Sequence, residues 1–472
     1  MKPFYLFVII YFGLHATVIG QEHSNSIDFR TAAKLMFENN SSIKAATKNT
    51  LLAKRQSQLI NASWLPTVSM TADYTIMSNK IGMSQEYAPL LDPLKEKYAN
   101  TLLIPDILNY ITNELGDLSF EVPIFEDNFG SIDLEVLYPI FTGTKRLYAN
   151  KLTKSNETLS EINKESIGAT KYLELINIYF SLSLTESMIN VLKETHDMTN
   201  NHYDQALKME EIGMFDKAER LITKVALDES ERNLKDAENQ AEVLRKALLK
   251  LIGQQPTSKE QWSIITSTPL FINEKYPQLE WFKDMMEKNA YIFRESELHD
   301  DITKANLRLS QSNYYPIISI YAKQTIASYQ VPKNMIPNTI GGINLVWNIF
   351  DGLARERNIQ LTKIESDIIT ETQESLKNDL EITVNEWYAN LKQSCINVNE
   401  LKSSLELAQE VYRIRKKSFT EGLATSQQVL DALNLVNKTR LLLLTSYFEY
   451  DIALANLCCL CGIPEYFEAY LN

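Results

Sequence analysis

The stretch YPIFTG, residues 138–143, is met again as WNIFDG at residues 347–352. Each closes a run in which apolar and polar residues alternate, and each opens onto a segment with helical spacing, so one strand-to-helix corner is written twice. The offset is 209 residues, and two more glycine pairs keep it: Gly213 with Gly422, and Gly253 with Gly462. Unrelated glycines do not hold one offset over more than 100 residues, so the chain is an internal duplication. Upstream, NASWLPTVSM around Pro66 pairs with QSNYYPIISI around Pro316 at an offset of 250. The first copy therefore carries about 41 extra residues between Pro66 and Gly143.

The first repeat is expected over residues 21–256 and the second over 257–472. A helix is predicted from about residue 28 to 63, and again from 277 to 313. A strand follows each proline, because proline fixes φ and interrupts helical hydrogen bonding. A turn and a second strand lead to I-F-x-G, a long helix runs to Gly213 or Gly422, and a last helix ends at Gly253 or Gly462. Strands are expected near 67–77, 131–141, 316–326 and 340–350, with the extra residues of the first repeat, about 78–127, forming an irregular external segment.

The strand predictions rest on period two. Val68, Met70, Ala72, Tyr74 and Ile76 share one face, and Thr67, Ser69, Thr71, Asp73 and Thr75 the other. Ile132, Leu134, Val136, Tyr138 and Ile140 oppose Asp133 and Glu135; Ile343, Leu345, Trp347 and Ile349 oppose Asn344 and Asn348. Runs of about 10 residues with aromatic ends suit outer-membrane strands, apolar toward lipid and polar toward a lumen. Four such strands would leave two open edges in lipid, each exposing N–H and C=O groups at several kcal/mol apiece. That penalty of roughly tens of kcal/mol exceeds a typical stability of ~5–15 kcal/mol. The membrane form is therefore an oligomer: three copies close twelve strands and two would close eight.

From Gly143 to Gly213, and from Gly352 to Gly422, is 70 residues, a helix of ~105 Å. Leu234, Ala237, Ala241, Leu244, Leu248 and Leu251 step by three or four, a coiled-coil spacing. Only 14 glycines and 14 prolines fit a chain dominated by long helices. The net charge of -13 argues against a nucleic-acid partner. Lys2 followed by an apolar run to Ile19 and then Gly20 reads as a secretory signal peptide over residues 1–20, with no spanning helix expected after it. Cys458, Cys459 and Cys461 match no zinc spacing and read as buried small hydrophobes. No metal or other cofactor is expected. Motifs for a serine hydrolase, a zinc protease or a P-loop are missing, so the chain does not read as an enzyme.

The most specific segment, YRIRKKSFTEGLATSQQVLDALNLVNKTRLLLL at residues 412–444, resembles the second hairpin tip of the TolC family of outer-membrane efflux proteins. MEEIGMFDKAERLITKVAL, at residues 209–227, is a looser version of it. The Pro and I-F-x-G corners, at Pro66, Pro139, Gly143, Pro316 and Gly352, resemble that family's strand–helix junctions. The likeness spans roughly residues 28–464. It implies a mainly α chain with four membrane strands, assembling as a homotrimer with a twelve-stranded barrel in outer-membrane lipid and a periplasmic helical tunnel. It implies a passive exit duct that docks on a periplasmic adaptor protein and an inner-membrane transporter. By the same likeness Gly213 and Met214, with Gly422 and Leu423, are the adaptor-docking tips. Asp431 matches an aspartate that narrows the tunnel entrance; Gln428 stands where a second acid is usual, and Glu219, just past the first tip, is expected to share the task. A periplasmic coiled-coil scaffold or adaptor is the alternative, but it leaves the four amphipathic strands without a purpose.

Overall fold

A computed structural model describes residues 26–79, 81–86, 88–97, 109–111, 119–125, 127–254, 265–272, 275–331 and 337–471. The expected signal peptide lies outside the described residues. The chain divides into a sheet unit, residues 48–162 and 294–375, and a helical unit built from residues up to 47, 163–293 and 376 onward.

In the sheet unit, β2 (Thr67–Ile76), β5 (Asn128–Phe141), β7 (Ile317–Tyr329) and β8 (Thr339–Val346) form an antiparallel sheet in the order β2-β5-β7-β8. Strands from both repeats thus share one sheet, joined through β5 and β7, with β2 and β8 at its edges. The central pair puts Glu135 opposite Lys323. Lys323 also reaches Asp133, at 2.8 Å, and Asp133 accepts from Thr325 at 2.6 Å and Ser131 at 2.7 Å. The buried carboxylate is thereby fully engaged, as burial of a charge demands.

The last strand was expected to run near residue 350 but stops at Val346. Its partner β7 begins at Ile317, because Pro316 has no N–H to extend the ladder. Pro139 lies within β5, and the ladder slips between Pro139 and Phe141, leaving Ile140 as the extra residue of a bulge. The extra residues of the first repeat are more regular than expected. Among their described residues, β3 (Ile81–Glu86) and β4 (Ser119–Phe125) pair as antiparallel strands, and a helix spans Ala88–Lys97. This pair too is irregular where Pro123 faces Gly82.

The first long helix, Lys145–Glu211, and the second, Ala354–Thr420, each have 67 residues. Each is followed by a return helix of 35 residues, Lys217–Leu251 and Ser426–Leu460. In the helical unit these pack around Phe29, Tyr179, Phe180, Phe271 and Phe467, whose rings meet mostly edge to face. Tyr179 Oη donates to the Ile27 carbonyl at 2.8 Å and accepts from the Thr268 amide at 3.0 Å. It thus pins the short parallel pair β1 (Ser26–Ile27) and β6 (Ile265–Thr266) against the first long helix. Cys458, Cys459 and Cys461 are buried free thiols, and the Cys461 thiol donates to the Phe282 carbonyl at 3.2 Å. Windows in the first long helix and the second return helix are long and apolar enough to cross a membrane, with 39% and 56% of them buried within the chain.

The helices predicted over 28–63 and 277–313 are each broken. The first is Phe29–Asn39 and Ser41–Ala62, and the second Leu279–Asn289 and Tyr291–Gln311. Asn40 and Ala290, with ψ of 129° and 135°, swing the backbone out of the helix. The cause is tertiary. A Cβ on Gly253 would lie 2.6 Å from Asn39 Cβ, and one on Gly462 would lie 2.2 Å from the Asn289 carbonyl oxygen. Each return helix ends directly on the break of the opposing segment. Asn40 fastens the first joint, its Nδ2 donating to the Leu251 carbonyl at 2.9 Å while its Oδ1 caps Ser42.

Candidate functional site

The hairpin tips begin from backbone chemistry. Gly213 and Gly422 have φ of 75° and 70°, the left-handed region that favours glycine at a helix C-terminus. Met214 N–H donates to the Met209 carbonyl at 2.9 Å, and Leu423 N–H to the Ser418 carbonyl at 2.8 Å, closing each long helix with the same six-residue loop. Asp216 and Thr425 then cap the return helices, accepting from the Glu219 and Gln428 amides at 3.1 and 3.3 Å. Gln428 returns the bond, its Oε1 accepting from the Thr425 amide.

The two tips touch. The Met214 side chain lies 3.2 Å from where a Cβ on Gly422 would stand. Phe215 of the first tip stacks on Phe419 of the second, ring centres 5.0 Å apart. Glu219, the repeat counterpart of Gln428, reaches across instead of capping its own helix; its Oε2 accepts from the Ser426 amide at 2.7 Å. Arg220 and Glu210 form an ion pair beside it. At the surface, Ile212, Met214 and Leu423 are 67%, 52% and 77% exposed, an apolar cap on a polar pair of helices. Asp431 is exposed, with Gln427 Nε2 donating to its Oδ1 at 2.7 Å.

Of the expected site residues, Gly213, Met214, Gly422 and Leu423 are therefore brought together. Asp431 is left facing solvent in the single chain. Gln428 Oε1 serves in the helix cap and Glu219 Oε2 braces the opposite tip.

At the strand–helix corners, Gly143 is followed by Thr144, and Gly352 by Leu353, all four with φ between 61° and 72°. Two successive left-handed residues make the turn abrupt, and a Cβ on Gly143 would lie 2.5 Å from Tyr315 Cβ. The Arg146 guanidinium sits 5.3 Å from the Trp64 ring, and Arg355 sits 4.8 Å from Tyr314. Arg355 also holds Asp351 at 3.1 Å and the Ile349 carbonyl at 2.9 Å. Each arginine thus clamps the aromatic two residues before Pro66 or Pro316. Pro139 is set apart from the corners, at the bulge within β5.

These clamps escape a search for shared glycines and prolines, yet the signal is present: Arg146 and Arg355 keep the 209 offset, and Trp64 and Tyr314 keep the 250 offset. Phe215 and Phe419 carry no such signal, because each has a non-aromatic counterpart, Ala424 and Glu210. Among the described residues, no group of three or more His, Cys, Asp or Glu side chains is arranged to hold a metal ion.

Residues 285–462 match the family described as outer membrane efflux protein. In structure, the chain is similar to VceC, an outer membrane protein of Vibrio cholerae, with 13% identity and a TM-score of 0.72 over 92% of this chain and 96% of that one. It is similar to the CmeC outer membrane channel of Campylobacter jejuni, with 15% identity and a TM-score of 0.70 over 93% and 86%. It is also similar to the open state of the MtrE outer membrane channel of Neisseria gonorrhoeae, with 14% identity and a TM-score of 0.69 over 92% and 89%. No curated protein matches it in sequence. The fold along nearly the whole chain is that of TolC-like outer-membrane channels.

Proposed function

We propose that this chain, which carries the outer membrane efflux protein family match in its second repeat and the TolC-like channel fold throughout, is the outer-membrane exit duct of an efflux or type I secretion system. Three copies close a barrel in lipid and a helical tunnel in the periplasm, and substrate delivered by an inner-membrane transporter through a periplasmic adaptor leaves passively. The observation that carries this reading is the duplication of strand pair and hairpin tip, with the family match lying on the second copy. A periplasmic scaffold would need the long helices but not a sheet assembled from both repeats.

The apolar cap of Ile212, Met214 and Leu423 is the surface we assign to the adaptor. Substitution Gly422→Trp tests it. The large side chain must displace Met214 and strain a left-handed φ, so the cap is rebuilt without touching the sheet. The expected result is loss of adaptor cross-linking and of efflux, with the assembled membrane oligomer retained. Normal cross-linking and efflux would reduce Gly422 to a turn residue and remove the docking assignment.

A further inference from the structure

One buried titratable group beneath the tips has no part in docking or in the sheet. His202, on the first long helix, is 4% exposed. Its ring stands edge-on to Phe419 at 4.6 Å, and Phe419 in turn stacks on Phe215. Ala206, Ala424 and Val429, with half-buried Tyr412, whose hydroxyl burial keeps protonated, complete this small core, so the imidazole is one wall of the packing that joins the first tip to the second. His202 Nε2 has no hydrogen-bond partner, and neither has the hydroxyl of fully buried Ser426 beside it.

A neutral imidazole can leave one ring nitrogen unpaired at a modest cost. An imidazolium cannot rest there as easily, because both nitrogens become donors and a charge enters a cluster of Phe and Ala. The charged and polar groups facing it divide. Glu219 on the first return helix and the Ser426 main chain on the second favour the charged form, and Lys416 on the second long helix opposes it. Glu210, on His202's own helix, is already paired with Arg220. Burial outweighs the favourable partners and holds the imidazole below its ordinary pKa.

We propose that His202 is an acid-operated latch, whose protonation expels the ring from Phe419 and parts the two hairpin tips. Only the consequence for flow, opening of the duct's entrance, rests on the exit-duct reading. The sign follows from linkage. The closed tips hold the neutral ring, so opening takes up a proton. The closed form is at full strength above the ordinary histidine pKa of 6.5 and weakens as pH falls below it, by up to about tenfold per pH unit per chain.

The test uses the detergent-extracted full chain with spin labels on the exposed residues Glu211 and Thr420, diluted with unlabelled chain. Double electron–electron resonance then reads tip separation with no adaptor or flow required. The expected distance lengthens as pH falls from 7.5 to 5. Lys416→Gln, which removes the facing cation from an exposed position, lets the closed tips hold the charged ring more easily and so moves the transition to lower pH, and His202→Phe holds the short distance throughout. A wild-type distance unchanged down to pH 5 overturns the latch, as does a transition that both variants leave in place. Bilayer conductance recorded alongside separates the two readings: a distance transition with no change in conductance keeps the latch and refutes the duct entrance.

Discussion

At the residue scale, the glycines divide by what surrounds them. Gly213 and Gly462 share nearly the same left-handed φ, 75° and 72°, so replacement by alanine strains both backbones equally, by about 1–2 kcal/mol. Their neighbours differ. A Cβ on Gly213 meets nothing within 4 Å, whereas one on Gly462 meets the backbone of Asn289 at 2.2 Å. A main-chain carbonyl cannot step aside as a flexible side chain can, so overpacking adds to the strain. Gly462→Ala is expected to cost about 2–5 kcal/mol in all and Gly213→Ala only the backbone share. Thermal unfolding followed by circular dichroism should give a clearly lower midpoint for Gly462→Ala. Equal midpoints would mean that the helix break at Ala290 yields to the return helix instead of bracing it.

At the element scale, what is legible in the sequence and what is not follows from where each feature is encoded. The four strands can be read because period two is written in residue type, and the tips because a left-handed helix end selects glycine. The breaks at Asn40 and Ala290 cannot, because neither residue interrupts a helical pattern; a return helix arriving from more than 170 residues away imposes them. The tip also shows the limit of reading a site by likeness. Glu219 and Gln428 occupy the same place in the two repeats, yet one braces the opposite tip and the other caps its own helix. One atom of each is thus engaged within the tips, and Asp431, on the exposed face of the second return helix, is the carboxylate to which we assign the entrance of the proposed duct. Copies arranged about an axis would set these carboxylates facing one another, attracting cations most strongly in a narrow, partly dehydrated pore. The duct proposed above should then be cation-selective in planar bilayers when its entrance is shut, and Asp431→Ala should weaken both that selectivity and block by multivalent cations. Gln428→Ala should leave selectivity in place while loosening the helix start. If Asp431→Ala conducts like the parent, the entrance is set by other residues.

At the scale of the whole molecule, the edges of the sheet decide the assembly. β2 has ten residues and β8 eight, and among the described residues each pairs on one side only. About half of the N–H and C=O groups of each edge strand point away from the sheet. In water they would be solvated, but in hydrocarbon each costs several kcal/mol, so the single chain is not a viable membrane species. Another copy of the same sheet would offer matching edges, and pairing β2 of one chain with β8 of the next would leave each junction antiparallel, like the three pairings within the chain. The trimer we propose is the smaller closure with room inside: eight strands leave an interior that side chains fill, while twelve leave room for a lumen. The polar face of the sheet, which carries Thr71 and Asn344, would line that lumen. Cysteines placed at Thr71 and Asn344, in a Cys395→Ser background, should form disulfides between neighbouring copies in the membrane. Non-reducing gels should then show a ladder that ends at three chains and collapses on reduction. A ladder that ends at two would select the eight-stranded closure, and a chain that stays single while its strands remain intact would mean the edges are covered by something other than itself.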